Sequence, residues 1–141
     1  MQARVHAITL AVRDLELSLR FYRALGLSSP GVIGTEFQPD AENPGGAVAM
    51  FTMDNGVMLS LYGREDLARD AGVPLERISG SAMSLGWFVD SDEEVGRVLD
   101  LAREAGATVL QPPRSRPWGI HAGYFADPDG HLWEVVSFAR Q

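Results

Sequence analysis

Bulky and small residues alternate along "AITLAV" (7–12), and the pattern then switches to helical spacing. Period-2 alternation predicts a strand over about 5–12. Asp14 supplies a helix cap, Leu15, Leu19 and Tyr22 form one stripe, and Gly26 a stop. The sequence runs through the same succession again. A strand over about 82–89 leads to Ser91 and Glu94, spaced as a capping box. The stripe Val95, Val98, Leu99, Ala102 and Ala105 follows, and Gly106 ends it. Three more strands are predicted in each half, at about 31–37, 47–53 and 57–62, and at about 107–111, 120–126 and 131–138. "NG" at 55–56 and "DG" at 129–130 supply tight turns between the last two of each set. Residues 38–46 read as a loop.

The two halves are one motif written twice. Phe51 matches Phe125, Asn55 matches Asp129, Gly56 matches Gly130, and Ser60 matches Glu134. Leu10, Val12 and Asp14 match Trp87, Val89 and Ser91. The expected fold is therefore α+β: two tandem β-α-β-β-β modules forming a cupped mixed β-sheet with helices on the outer face. Module one spans 1–63, a connector with room for one helical turn spans 64–81, and module two spans 82–141. Alternation assigns faces. Ile8, Leu10 and Val12 suit a helix-packed side, as do Met83, Leu85, Trp87 and Val89. Ala7, Thr9, Ala11, Ser84 and Gly86 then line the other side, as a concave cavity would use them. Ser60 is in phase with Met58 and Tyr62, and Glu134 with Leu132, Val136 and Phe138.

Composition narrows the function class. The 141 residues suffice for a real core, at 45% apolar and 22% charged. A net charge of −7 argues against nucleic acid as a partner. No apolar run approaches the ~18 residues of a membrane span, so no membrane partner is expected. "MQARVHAITL" lacks a signal-peptide pattern, and a cytoplasmic protein is expected. Cysteine is absent, which removes disulfides and thiolate chemistry. No dinucleotide fingerprint, P-loop or G-x-S-x-G elbow occurs.

"ITLAVRDLELSLRFYRALGL" (8–27) and "GYFADPDGHLWEVV" (123–136), placed in this order within a repeat, resemble the vicinal oxygen chelate superfamily. That group includes glyoxalase I, extradiol dioxygenases, fosfomycin-modifying enzymes and metal-free bleomycin-resistance proteins. The resemblance covers essentially the whole chain and implies the fold more strongly than any one reaction. In metal-dependent members four cup-facing positions hold the ion. Carried over by motif, they fall on Ala7, Ser60, Ser84 and Glu134. Alanine cannot bind a metal, and neutral hydroxyls are poor ligands for Zn, Fe or Mn. Glu134 alone keeps a ligating side chain, so no cofactor is expected and a divalent metal is disfavoured. His6 is one residue off the first position and points to the opposite face of a regular strand. His131, three residues before Glu134, is likewise out of phase and reads as a residue at the turn.

The candidate catalytic groups are Glu134 and His121. Each also has a bland reading, Glu134 as an acid satisfied by Thr9, Ser60 or Ser84, and His121 as a structural strand histidine. The candidate ligand-binding set is Ala7, Thr9, Ser60, Tyr62, Ser84, Phe88, Trp118 and Glu134. "PPRSRPWGIH" (112–121) reads as an irregular loop or as a lid, with Trp118 stacking on a flat ligand and Arg114 or Arg116 reading an acidic group. Met50 and Met58 could add apolar lining. The expected function is metal-independent small-molecule binding of the bleomycin-resistance type, with a homodimer implied by the resemblance. Two enzymatic readings compete with it. One is a glyoxalase I-like lyase or extradiol-dioxygenase-like enzyme with a displaced metal site built from Glu134, His121 and His6. The other is a metal-free lyase or isomerase using Glu134 or His121 as base.

Overall fold

The computed structural model describes residues 2–28, 32–37, 46–79 and 82–138. The fold is α+β, in two compact units, Met1–Ser79 and Gly80–Gln141. The first contains β1 (Ala7–Val12), α1 (Leu15–Ala24), β2 (Val32–Phe37), β3 (Gly46–Thr52), β4 (Met58–Gly63) and α2 (Arg64–Ala71). Its sheet runs in the order β1-β4-β3-β2, with β1 parallel to β4 and the other pairs antiparallel. The second repeats the plan: β5 (Ser84–Phe88), α3 (Asp92–Ala105), β6 (Thr108–Arg116), β7 (Ile120–Ala126) and β8 (Leu132–Phe138). Its order is β5-β8-β7-β6, with β5 parallel to β8. The loop expected over 38–46 lies, except for Gly46, outside the described residues, as does residue 31.

The helices begin and end where side-chain chemistry places them. The Asp14 carboxylate accepts from the Leu17 N–H at 3.1 Å and opens α1. The Ser91 hydroxyl accepts from the Glu94 N–H at 3.2 Å, and Glu94 reaches back to the Asp90 N–H at 3.3 Å. Both helices close alike. The Leu27 N–H donates to the Tyr22 carbonyl at 3.0 Å, and the Ala107 N–H to the Ala102 carbonyl at 2.9 Å. Each helix then buries one stripe on one face of its sheet. In the first unit Leu19, Phe21 and Tyr22 meet Leu10, Ala49, Phe51, Leu59 and Leu61, with Tyr22 and Phe51 rings 6.0 Å apart. In the second, Val95, Leu99 and Ala102 are buried over β7 and β8, whose Phe125, Trp133 and Val135 are buried too. The Phe125 and Trp133 rings stack at 5.9 Å, and Trp87 meets Trp133 edge-on at 6.2 Å.

Three local readings change. The connector forms a full helix, α2, packed on β1 and β4, instead of one turn. Glu65 and Asp66 in its first turn and Gly72 after its last residue suit a helix, and Ala68 is its buried contact. Residues 112–116 continue β6 instead of forming a loop. β6 is the sheet edge, where Pro112 and Pro113 forfeit ladder donors on only one side. The register also slips between Val109 and Gln111 and between Gln111 and Arg114, a bulged geometry that absorbs them. Finally, both closing hairpins use three-residue loops. Met53 and Val57 pair around residues 54–56, and Asp127 and His131 around 128–130. Gly56 and Gly130 take the left-handed position, at φ 88° and 89°, after a type I turn. The buried Asp127 carboxylate fixes the second loop, accepting from the Asp129 and His131 N–H groups, each at 2.9 Å. His131 is thus a turn residue.

Candidate functional site

Each sheet has one face under its helix and one open face. In the first unit the open face carries Ala7, Thr9 and Ala11 of β1 beside Met58, Ser60 and Tyr62 of β4, then Met50 of β3. Thr9 pairs with Ser60, Ala11 with Tyr62, and Met50 with Ser60. Ser60 sits between its two neighbours and is only 5% exposed. The Tyr62 hydroxyl is pushed up, first by burial and then by Asp70 and Asp66 of α2, with Arg69 partly offsetting them. A pocket of about 290 Å³ lies elsewhere, at the ends of β1 and β4, against Arg13, Arg64 and Asp66.

In the second unit the corresponding positions are Ser84 and Gly86 of β5 and Leu132 and Glu134 of β8. Ser84 pairs with Leu132 as Ala7 does with Met58, and Gly86 with Glu134 as Thr9 does with Ser60. Glu134 therefore lies on the open face, flanked by Gly86 and by Tyr124 of β7. The Phe88 ring reaches back over Gly86, 3.4 Å from where a Cβ on that glycine would stand. Phe88 also meets Phe138 edge-on at 5.0 Å, and both are exposed, at 68% and 51%. The Tyr124 hydroxyl is pushed up by burial first and then by hydrogen bonding to Glu134 and its charge, while Arg116 partly offsets them. The Tyr124 hydroxyl is a hydrogen-bond donor beside the Glu134 carboxylate. On the described strands of this unit Glu134 is the one acid on the open face.

Tyr124 was not among the residues singled out from sequence. The signal that finds it is the hairpin loop: three residues set Ala126 opposite Leu132, hence Tyr124 opposite Glu134. The same register puts His121 opposite Ser137, on the helix-facing side, away from Glu134. There Ser137 donates to the Asp92 carboxylate at the start of α3, and the His121 Nδ1 is buried without a hydrogen-bond partner. The structure does not bring His121 and Glu134 together. Trp118 stands at the β6–β7 hairpin tip, 92% exposed, with φ 62° and ψ 32°. A bulky side chain on left-handed backbone is strained.

Glu134 has Tyr124 and Gly86 for neighbours, and its sister positions are Ala7, Ser60 and Ser84. Among the described residues no three His, Cys, Asp or Glu side chains converge on a point. His6 lies just before β1, where its carbonyl accepts from the Met58 N–H at 2.9 Å.

The fold and this site define a class. The family model for the Glyoxalase/Bleomycin resistance protein/Dioxygenase superfamily matches residues 4–135, and the chain belongs to that superfamily. A glyoxalase-related enzyme from Fulvimarina pelagi is similar in structure, with a TM-score of 0.78 and 31% identity over 96% of this chain and 88% of that one. A glyoxalase/bleomycin resistance protein/dioxygenase from Nocardioides shares the fold at TM-score 0.73 and 23% identity, over 99% of this chain and 86% of that one. So does the genomically encoded fosfomycin resistance protein FosX from Listeria monocytogenes, at TM-score 0.68 and 19% identity, over 97% and 94%. No helix among the described residues is long and apolar enough to cross a membrane.

Proposed function

We propose that this superfamily member is a metal-independent small-molecule-binding protein, a cytoplasmic homodimer whose ligand contacts the open face of the second unit, which carries Glu134, Ser84 and Phe88; Ala7, Thr9, Ser60 and Tyr62 offer the matching face of the first unit by itself. The carrying observation is the setting of Glu134 between Tyr124 and Gly86, with no cluster of three His, Cys, Asp or Glu side chains among the described residues. Such a face offers apolar area and a few directed polar groups, the usual make-up of a ligand site. Trp118, strained and exposed at a hairpin tip, is available to close over an aromatic ligand. The test is metal analysis of protein purified without chelator, together with ligand-induced thermal shifts from a compound library. Shifts that persist in EDTA and shrink in Glu134→Gln are expected. One equivalent of Ni, Zn, Fe or Mn per chain, lost in Glu134→Gln, would replace this reading with a metal-dependent lyase or dioxygenase.

The Glu134–Tyr124 pair favours one second reading, a metal-free lyase or isomerase. Glu134 would take a proton from a carbon acid while the Tyr124 hydroxyl steadies the developing oxyanion. Turnover that survives EDTA and disappears in Glu134→Gln would establish it.

A further inference from the structure

We propose that the ligand is an organic anion, a carboxylate, phosphate, phosphonate or sulfonate carried on an apolar body, with its charge held by Arg114 and Arg116. The inference rests on the reading above that the open face of the second unit binds a small molecule. Arg114 pairs with Ala122, and Arg116 with Ile120, the alternate residues of β7 that precede Tyr124 on the open face. Two residues apart on one strand, they stand about 7 Å from each other, close enough for both guanidinium groups to reach one oxyanion. Against them the described strands of this unit set a single acid, Glu134. The face is therefore locally positive in a chain whose net charge is −7.

Among the described residues the two arginines differ from those on the helices. On the helices Arg69 bonds Asp66, Arg97 lies 4.0 Å from Glu94, and Arg103 is 3.2 Å from Asp100. Arg114 and Arg116 make no ion pair among the described residues. Arg116 is near enough for its charge to act on Tyr124, so it belongs to the same electrostatic neighbourhood as Glu134. Two unpaired guanidinium groups are suited to bidentate recognition of an oxyanion. An acidic protein needs such a local reversal of sign to draw an anion in. The apolar body would lie on Phe88 and Phe138, in phase on the same face and both exposed.

The test uses two fluorescent probes on the full chain: anilinonaphthalene sulfonate, an apolar anion, and Nile red, which is apolar and neutral. Arg114→Gln/Arg116→Gln is expected to weaken the sulfonate by about tenfold and to flatten its salt dependence, with Nile red unchanged. Sulfonate affinity equal to wild type, or equal weakening of both probes, overturns the inference. Phe88→Ser/Phe138→Ser separates it from the reading beneath. If both probes bind that variant as they bind wild type, the face is not the site. If both are lost there while the arginine variant binds both normally, only the anion assignment fails.

Discussion

Two glycines of the second unit should respond with opposite signs to the same substitution. Gly123 of β7 lies beneath α3. A Cβ there would stand 2.4 Å from Leu99 Cδ1, 2.9 Å from the Gln111 carbonyl oxygen and 3.3 Å from the Pro113 nitrogen. The Leu99 contact falls about 1 Å short of the carbon–carbon optimum near ~3.5 Å. Leu99 could turn, but it is itself buried, and the Gln111 oxygen is backbone of the neighbouring strand. Overpacking of this kind costs about 1–3 kcal/mol, offset by roughly 0.4–1 kcal/mol from a less flexible unfolded chain. Gly123→Ala should therefore destabilise by about 1–2 kcal/mol. Gly96, inside α3, meets only Pro113 Cγ at 3.9 Å, so Gly96→Ala should gain roughly 0.5–1 kcal/mol of helix propensity. Urea unfolding followed by tryptophan fluorescence, read as midpoints at constant slope, compares them. Adding Leu99→Ala to Gly123→Ala should cost less than the two separate losses combined, because the clash is shared. A Gly123→Ala protein as stable as wild type, or a common sign for both alanines, would refute the claim that α3 seats directly on the β7 backbone.

Three further outcomes bear on the site. The chain has three tyrosines, Tyr22, Tyr62 and Tyr124, and no lysine. Glu134→Gln should lower the Tyr124 value, and Arg116→Gln should raise it, as followed by phenolate absorbance; an unchanged curve in both would separate Tyr124 from its assigned neighbours. Tyr62 and Tyr124 hold their protons more tightly folded than unfolded, so the stability they contribute is complete below about pH 10 and is lost as pH rises through their raised values. Urea midpoints should fall over that range, and less steeply in Tyr62→Phe/Tyr124→Phe; parallel slopes would be the contrary result. His121→Leu removes the Nδ1 that has no partner among the described residues and should raise the unfolding free energy, read from the urea midpoint, by up to about 1 kcal/mol. It should also leave probe binding intact, and a loss of both probes equal to that of Phe88→Ser/Phe138→Ser would contradict the face assigned to His121.

Much of this was legible in one dimension because the signals are local. Alternation placed Ala7, Thr9, Ser60, Ser84 and Glu134 away from the helices, and the structure keeps them there. Asp14, Ser91, Gly26 and Gly106 bounded α1 and α3 through their own hydrogen bonds. The prolines of β6 misled, because Pro in isolation reads as a break. Only the strand's place at the sheet edge makes it tolerable. α2 was underestimated because its weak stripe acquires meaning only once Ala68 is buried beside β1 and β4.

The sequence by itself determined a duplicated β-α-β-β-β plan, the places of its turns, and the repeat pattern in which Glu134 alone keeps a carboxylate where the matched positions are Ala7, Ser60 and Ser84. The tertiary structure decided who stands beside Glu134. A two-residue turn on "DG" would have slid β7 by one position and brought His121 onto its face. The Asp127 carboxylate instead holds a three-residue loop, and a one-residue difference in register inverts every side chain of a strand. Tyr124 is therefore the partner, and His121 lies beneath the helix.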